Sequence, residues 1–157
     1  MKEFLIEKLG LSPHPEGGAF RETYRMKERV DLRGGREMAT AIYFLLEAGE
    51  VSAWHRVESD ELWLYHGGAP LLLKGIDLEG NYYEQKLGME IASAQSPQFL
   101  FPAKHWQAAV SSEGWTLVSC VVVPGFDFAD FEMASEGEMR ESFPSLGEKI
   151  ALRGKNA

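Results

Sequence analysis

Along most of this chain apolar residues return at every second position, in short runs broken by turn signals. That period belongs to β-strands rather than helices. The runs are "ATAIYFLLEAGE", "VSAWHRV", "ELWLYHGGAPLLLKGID", "NYYEQKLG", "PQFLFP", "HWQAAVSSEG" and "WTLVSCVVVPGF", with turns at "AGE", "LEGN" and "SSEGW". Many short strands at close spacing predict a mainly β chain folded as a sandwich or barrel. Ahead of them, Phe4, Leu5, Lys8 and Leu9 predict a short amphipathic helix closed by Gly10. The prolines and glycines of "SPHPEGG" stop it, and a strand follows from Gly18 through "AFRETYRM". The polar "KERVDLRGGRE" reads as a mobile loop. At the far end "SEGE" from Ser135 is a capping-box pattern with Glu138 placed to reach back, so one or two helices are expected around "EGEMRESF" and "SLGEKIAL".

Two strands are apolar on both faces. Ile42, Phe44 and Leu46 alternate with Ala41, Tyr43 and Leu45, and Val118, Cys120 and Val122 with Leu117 and Val121. A half-exposed antiparallel strand would alternate polar with apolar. Another sheet, the helices or a second subunit must therefore cover the outer face, and the small number of helices favours a homodimer.

At 157 residues the chain is expected to form one domain spanning 1–157, with a barrel core at about 18–124 and a C-terminal helical segment at about 127–153. The net charge of −8 and the scattered Lys and Arg residues exclude nucleic acid, which needs a clustered basic footprint. Cys120 is the one cysteine, so no internal disulfide forms, and its apolar neighbours make it a buried thiol. "MKEFLIEKLGLS" is too short and too charged for a signal peptide or a spanning helix, so a cytoplasmic chain with no membrane partner is expected. Walker loops, nucleophile elbows and paired CxxC motifs are missing from the sequence.

Gly49, five residues, His55, one residue, Val57, three residues, Glu61, six residues and Gly68 together resemble the first motif of the cupin superfamily. Cupins usually carry a second histidine where Val57 stands. Their second motif is echoed by "PAKHWQ", with Pro102 matching, Lys104 in place of a glycine and Gln107 in place of a histidine. The wider pattern, over residues 4 to 145, resembles small single-domain bacterial and fungal cupins whose function is not established. The resemblance implies a double-stranded β-helix, or jelly-roll, barrel, commonly dimeric, with a pocket in its mouth.

Strand parity gives candidate pocket residues independently. Residues two apart share a face, which groups Val51, Ala53, His55 and Val57, then Glu61, Trp63 and Tyr65, then His105, Gln107 and Ala109. One metal reading makes His55, Glu61 and Gln107 ligands of a divalent cation, with His105 as a substitute. A neutral amide is a weak donor, and Val57 cannot coordinate, so no cofactor is the favoured expectation. The simpler alternative is a hydrogen-bonded polar pair of His55 and Glu61.

The stretch Gly18-Ala19-Phe20-Arg21-Glu22 is similar to the Gly-x-Phe-x-Glu segment of nucleotide-sugar epimerases, metal-free cupins in which an arginine precedes the glycine and the acid helps hold the nucleotide. Gly17 replaces that arginine here. The resemblance implies Phe20 and Glu22 as ligand contacts. His55 is then the base, with its tautomer set by a carboxylate such as Glu61, and Tyr24 or Tyr65 the acid. Trp63, Tyr65, His105 and Gln107 complete the expected ligand-binding set. His14 is expected at the surface or packed in a loop, with Glu16 beside it, and His66 outside the pocket. "PGFDFADFE" is expected to start a helical turn packed by Phe126, Phe128 and Phe131.

Three functions follow from these residues. The first is a metal-independent epimerase- or isomerase-like enzyme acting on a sugar-nucleotide-like or other carbonyl metabolite. The second is a non-catalytic small-molecule-binding module. The third is a metal-dependent cupin.

Overall fold

The strand-period runs form β1 (Ser12–Pro13), β2 (Ala19–Arg25), β3 (Arg29–Val30), β4 (Arg36–Glu37), β5 (Thr40–Leu46), β6 (Val51–Val57), β7 (Asp60–Gly68), β8 (Leu71–Ile76), β9 (Tyr82–Leu87), β10 (Gln98–Phe101), β11 (Trp106–Val110), β12 (Thr116–Val123) and β13 (Phe131–Met133). Helix α1 (Lys2–Leu9) precedes them and α2 (Glu136–Ser142) follows. This computed structural model describes residues 1–111 and 113–152. Ser112 of the expected "SSEGW" turn, and the tail from Arg153 at the end of the expected helical segment, lie outside the described residues.

Two antiparallel sheets face each other. One runs β1-β2-β5-β12-β7-β10 and the other β13-β6-β11-β8-β9, which is the expected jelly-roll. Phe44, Trp63, Leu73, Phe101 and Val118 meet between them, each at most 1% exposed. The outer face of β5 is covered at one end by α1, whose Leu5, Ile6 and Leu9 pack with Leu45 and Leu117. On the opposite face of the molecule, Met139 of α2 and Ile150 pack against Trp54, Ile76 and Ala108. The two-sided apolar pattern is thus answered in part by helices. Val123, near the uncovered end of β12, remains exposed.

The motif spacing has a backbone cause. Gly68 sits at φ 98°, and a Cβ there would lie 2.0 Å from the Trp115 carbonyl oxygen, so β7 closes on β12 only with glycine at this position. Lys104, standing where the second motif has glycine, adopts φ 69°, the left-handed conformation that glycine takes without strain.

Two expectations need correction. "KERVDLRGGRE" is not an open loop. β3 and β4 pair as a hairpin, and Arg36 binds both oxygens of Asp130 at 2.8 Å while Arg33 reaches Asp130 at 3.2 Å and Ser59 at 2.8 Å. The segment after 127 opens with a 3-10 turn, Phe128–Asp130, and then contributes β13 to the sheet beside β6 instead of continuing as helix. The capping box at α2 forms as expected, the Ser135 hydroxyl accepting from the Glu138 N–H and the Glu138 carboxylate accepting from the Ser135 N–H. No helix of the described residues is long and apolar enough to cross a membrane.

Candidate functional site

Two β-bulges decide which side chains reach the barrel mouth. On β2, Glu22 pairs with Ile42 but Tyr24 with Ala41, so Thr23 is an extra residue and parity reverses after it. Phe20 and Glu22 face inward, Tyr24 turns out and is 54% exposed, and Arg25 takes the inward place. On β6, His55 pairs with Gln107 but Ser52 with Ala109. Ser52 thereby joins His55 and Val57 on the inner side, where simple alternation expects Val51 and Ala53. The freed peptide of Ala53 is used locally, its N–H donating to the Glu16 carbonyl at 2.8 Å and its carbonyl accepting from the His55 ring at 2.7 Å.

The mouth encloses a cavity of about 320 Å³. His14, Glu16, His55, Glu61 and Cys120 form its polar floor, and Phe20, Ile42, Val57 and Val122 part of its wall. Phe126, Phe128 and Phe131, with ring centroids 4.9–5.9 Å apart, complete the wall. Glu22, Arg25 and Asp127 stand at the rim. Glu16 arrives through the "PEGG" turn, which lies against β6. A Cβ at Gly17 (φ 108°) would sit 2.2 Å from the Val51 carbonyl oxygen, so no side chain, and in particular no arginine, fits there.

Burial sets the charge of the floor. It pushes the Glu16 carboxyl up to about 8, a hydrogen bond from Ser52 pulling partly back. It raises Glu61 to about 7, opposed by the nearby His55 and by hydrogen bonds from Gln107 and Cys120, while Glu16 adds to the rise. Burial, with His55 assisting, lowers His14 to about 4. The His55 imidazole is also lowered by burial, against the pull of Glu61 and the Ala53 carbonyl. The Cys120 thiol is held well above its ordinary value by burial, which leaves it protonated. Glu16 Oε2 and His55 Nδ1 approach to 3.3 Å, yet burial disfavours both charges, so the contact joins largely neutral groups.

The metal reading does not fit these residues. The Trp63 indole N–H, which can only donate, lies 2.9 Å from Gln107 Oε1, so the amide oxygen is already engaged. The Gln107 NH₂ donates to Glu61 Oε2 at 2.6 Å. Val57 supplies no donor. Among the described residues no group of three or more His, Cys, Asp and Glu converges at metal-binding spacing.

Of the residues expected from sequence, the structure brings Phe20, Glu22, His55 and Glu61 to the cavity. Gln107 faces inward but stands behind Glu61 as its hydrogen-bond partner, and Trp63 lies behind Gln107 in the core. Tyr65 instead donates to the Gly68 carbonyl, and His105 pairs with the Tyr83 hydroxyl at 2.8 Å. Neither lines the cavity. No hydrogen bond or ion pair joins His55 to Glu61, because each has a nearer partner: Ala53 fixes the His55 tautomer and Gln107 takes the carboxylate. His66 is outside, bonded to Ser119, as expected. Of the two places expected for His14, the structure gives the packed one. The ring stacks edge-on to Phe20 at 4.4 Å and lines the cavity with Glu16. These two and the Phe126–Phe131 wall were hidden in segments without strand period; the "PEGG" glycines were the available signal of a backbone pressed against a neighbour.

Comparison with known proteins agrees with this geometry. Residues 3–134 match the family described as "Cupin superfamily (DUF985)". A solved structure of protein SO0799 from Shewanella oneidensis is 35% identical, with a TM-score of 0.89 over 98% of this chain and 96% of that one. A hypothetical protein from Leishmania major is 34% identical, with a TM-score of 0.87 over 94% of this chain and 95% of that one. An uncharacterized protein of Saccharomyces cerevisiae, YML079W, is 27% identical over 144 residues, covering 80% of this chain and 71% of the yeast protein.

Proposed function

The chain belongs to the DUF985 family of the cupin superfamily, and on that premise we propose that its barrel mouth binds a small carbonyl-bearing molecule and moves a proton on it without a metal. The observation that carries this reading is the His55 ring. Its Nδ1 is tied to the Ala53 carbonyl, so the neutral ring keeps its lone pair on Nε2. Burial favours that neutral, basic form, and Glu61, held near neutrality, retains a proton to give.

Nε2 of His55 takes the proton from the carbon beside the carbonyl. The bonding pair moves toward the carbonyl oxygen, which receives the Glu61 proton, and an enol results. His55 returns its proton to the neighbouring carbon while the Glu61 carboxylate takes the proton of the adjacent hydroxyl, which becomes the new carbonyl; the product is an isomer and both groups are restored.

Size and charge narrow the substrate. The cavity of about 320 Å³ is at the small end of ligand pockets, which run from about 300 to 1,000 Å³. Arg25 is the cation among the described lining residues, and its guanidinium already binds Glu22, Glu37 and the Phe126 carbonyl. A diphosphate would meet no free positive charge beside Glu16, Glu22, Glu61 and Asp127. An uncharged carbonyl metabolite suits the site better than a sugar nucleotide. A homodimer through the outer strip near Val121 and Val123, left uncovered by α1, belongs to the same reading and is tested by sedimentation.

The experiment is solvent deuterium exchange into small aldoses and ketoses. At least one is expected to exchange about tenfold faster than with His55→Ala. Binding without exchange above that variant would replace the enzyme with a non-catalytic binding module.

A further inference from the structure

We infer that His14 and His55 form a preset donor–acceptor pair, selecting a neutral ligand with a carbonyl beside a hydroxyl, an α-hydroxycarbonyl compound. This rests on the reading of the mouth as a ligand site.

The two rings are held in opposite tautomers by backbone groups whose roles are fixed. The Glu16 N–H can only donate, and it points at His14 Nδ1 from 3.2 Å. That nitrogen is therefore the acceptor, and the neutral ring carries its hydrogen on Nε2. The Ala53 carbonyl can only accept, and it lies 2.7 Å from His55 Nδ1. That nitrogen carries the hydrogen, and Nε2 keeps the lone pair. Neither assignment depends on the protonation of a neighbouring side chain.

The rings are close neighbours. Glu16 Oε2 lies 3.7 Å from His14 Nδ1 and 3.3 Å from His55 Nδ1, and both rings pack on Phe131 with centroids 6.3 and 5.6 Å away. Neither Nε2 has a hydrogen-bond partner among the described residues, and no fully buried side-chain nitrogen or oxygen there lacks one. Both atoms therefore reach the cavity. Burial keeps His14 uncharged down to about pH 4, so the pattern persists through neutral pH.

A carbonyl oxygen fills the site opposite His14 Nε2–H, and an adjacent hydroxyl donates to His55 Nε2. Two acceptors side by side would face a lone pair, and an anion would meet Glu22 and Asp127 at the rim. Sites that must pair a buried donor and acceptor discriminate strongly against ligands missing either group.

The test begins with ¹⁵N-histidine spectra of the ligand-free protein at pH 7, which distinguish the two tautomers of a neutral imidazole. His14 is expected as the Nε2–H form and His55 as the Nδ1–H form. The same tautomer at both, or an imidazolium at either, overturns the pair whatever deuterium exchange shows. Hydroxyacetone is then expected to shift both Nε2 signals. Acetone, lacking the hydroxyl, and 1,2-propanediol, lacking the carbonyl, should bind at least fivefold more weakly. Equal binding of all three, or no binding of hydroxyacetone, overturns the ligand class. His14→Phe should weaken hydroxyacetone binding about tenfold and His14→Gln, which restores an N–H, should recover part of it. If tautomers and ligand preference hold while exchange fails, the proposed reaction falls and the donor–acceptor pair stands.

Discussion

Glu16 Oε2 stands 3.3 Å from His55 Nδ1, while the Ser52 hydroxyl donates to the other Glu16 oxygen at 2.9 Å. The carboxyl thus lies at the centre of the floor, touching His14, His55 and the β6 bulge. Its burial gives stability a definite dependence on pH. Folding raises Glu16 from 4.5 to about 8 and Glu61 from 4.5 to about 7, so the folded state binds more protons than the unfolded. That contribution is complete below about pH 4.5 and is lost as pH rises through 7 to 8. Folding lowers His14 from 6.5 to about 4, which acts oppositely, adding stability as pH rises from 4 to 6.5. Above 6.5 the acids act alone. Stability is expected to fall between pH 6.5 and 8, by on the order of 1 kcal/mol per pH unit for each ionising group. Glu16→Gln should flatten that decline in urea unfolding at pH 6, 7 and 8; an equally steep decline in the variant contradicts the uncharged carboxyl.

Val57 and Gln107 explain in reverse why the floor suits no metal. Val57 lies on the inner side of β6 beside His55, and Gln107 pairs across from His55 on β11. Val57→His combined with Gln107→His would place three imidazoles and Glu61 around one point, a set that suits a divalent transition metal. The double variant is expected to bind Zn²⁺ or Mn²⁺ at least tenfold more tightly than the unmodified chain in calorimetric titration. Equal affinity would mean that the barrel geometry, and not only its donors, has changed.

The hairpin β3–β4 and the mouth segment 127–130 hold each other through Asp130, which takes both Arg33 and Arg36 and is kept well ionised by them. Arg36→Ala removes the two-pronged contact. Trypsin cleavage at Lys27, Arg29 and Arg33 should then accelerate several-fold at a temperature where the barrel stays folded. Unchanged cleavage would show that strand pairing alone secures the hairpin.

Lys104 holds a left-handed backbone at φ 69° without the freedom of glycine, and its N–H still donates to the Val57 carbonyl at 2.8 Å. Relief of that strain by glycine exceeds the added entropy of the unfolded chain by a small margin. Lys104→Gly is expected to raise stability by up to about 1 kcal/mol in urea unfolding; a loss would mean that the Nζ contact to Glu58 at 3.4 Å outweighs the strain.

Sequence reading reached the architecture because alternation and motif spacing are local and survive translation into strands. It placed Glu61 on the right side of β7, since that strand keeps its period from Glu61 to Tyr65, and His66 lies outside where the ladder to β12 slips by one residue. It put Tyr24 in the pocket because a bulge at Thr23 leaves no mark in composition, and one extra residue reverses every later side chain. Gln107 had the right face, but the pattern could not reveal that Trp63 and Glu61 occupy both ends of its amide. His14 and Glu16 lay in a Pro/Gly-rich turn with no period to follow, where position is set by long-range packing against β6.

The polar floor draws His14 and Glu16 from ahead of the main strands, and the aromatic wall draws Phe126, Phe128 and Phe131 from behind them. β5, β12 and β7 can pair with neither in place, but the cavity is enclosed only once Phe131 docks opposite Val57. Enclosure of the cavity therefore depends on contacts between the most distant parts of the chain, the kind whose loop closure costs most. A cut after Asp130 would remove Phe131 from beside Val57 and open the cavity on that side.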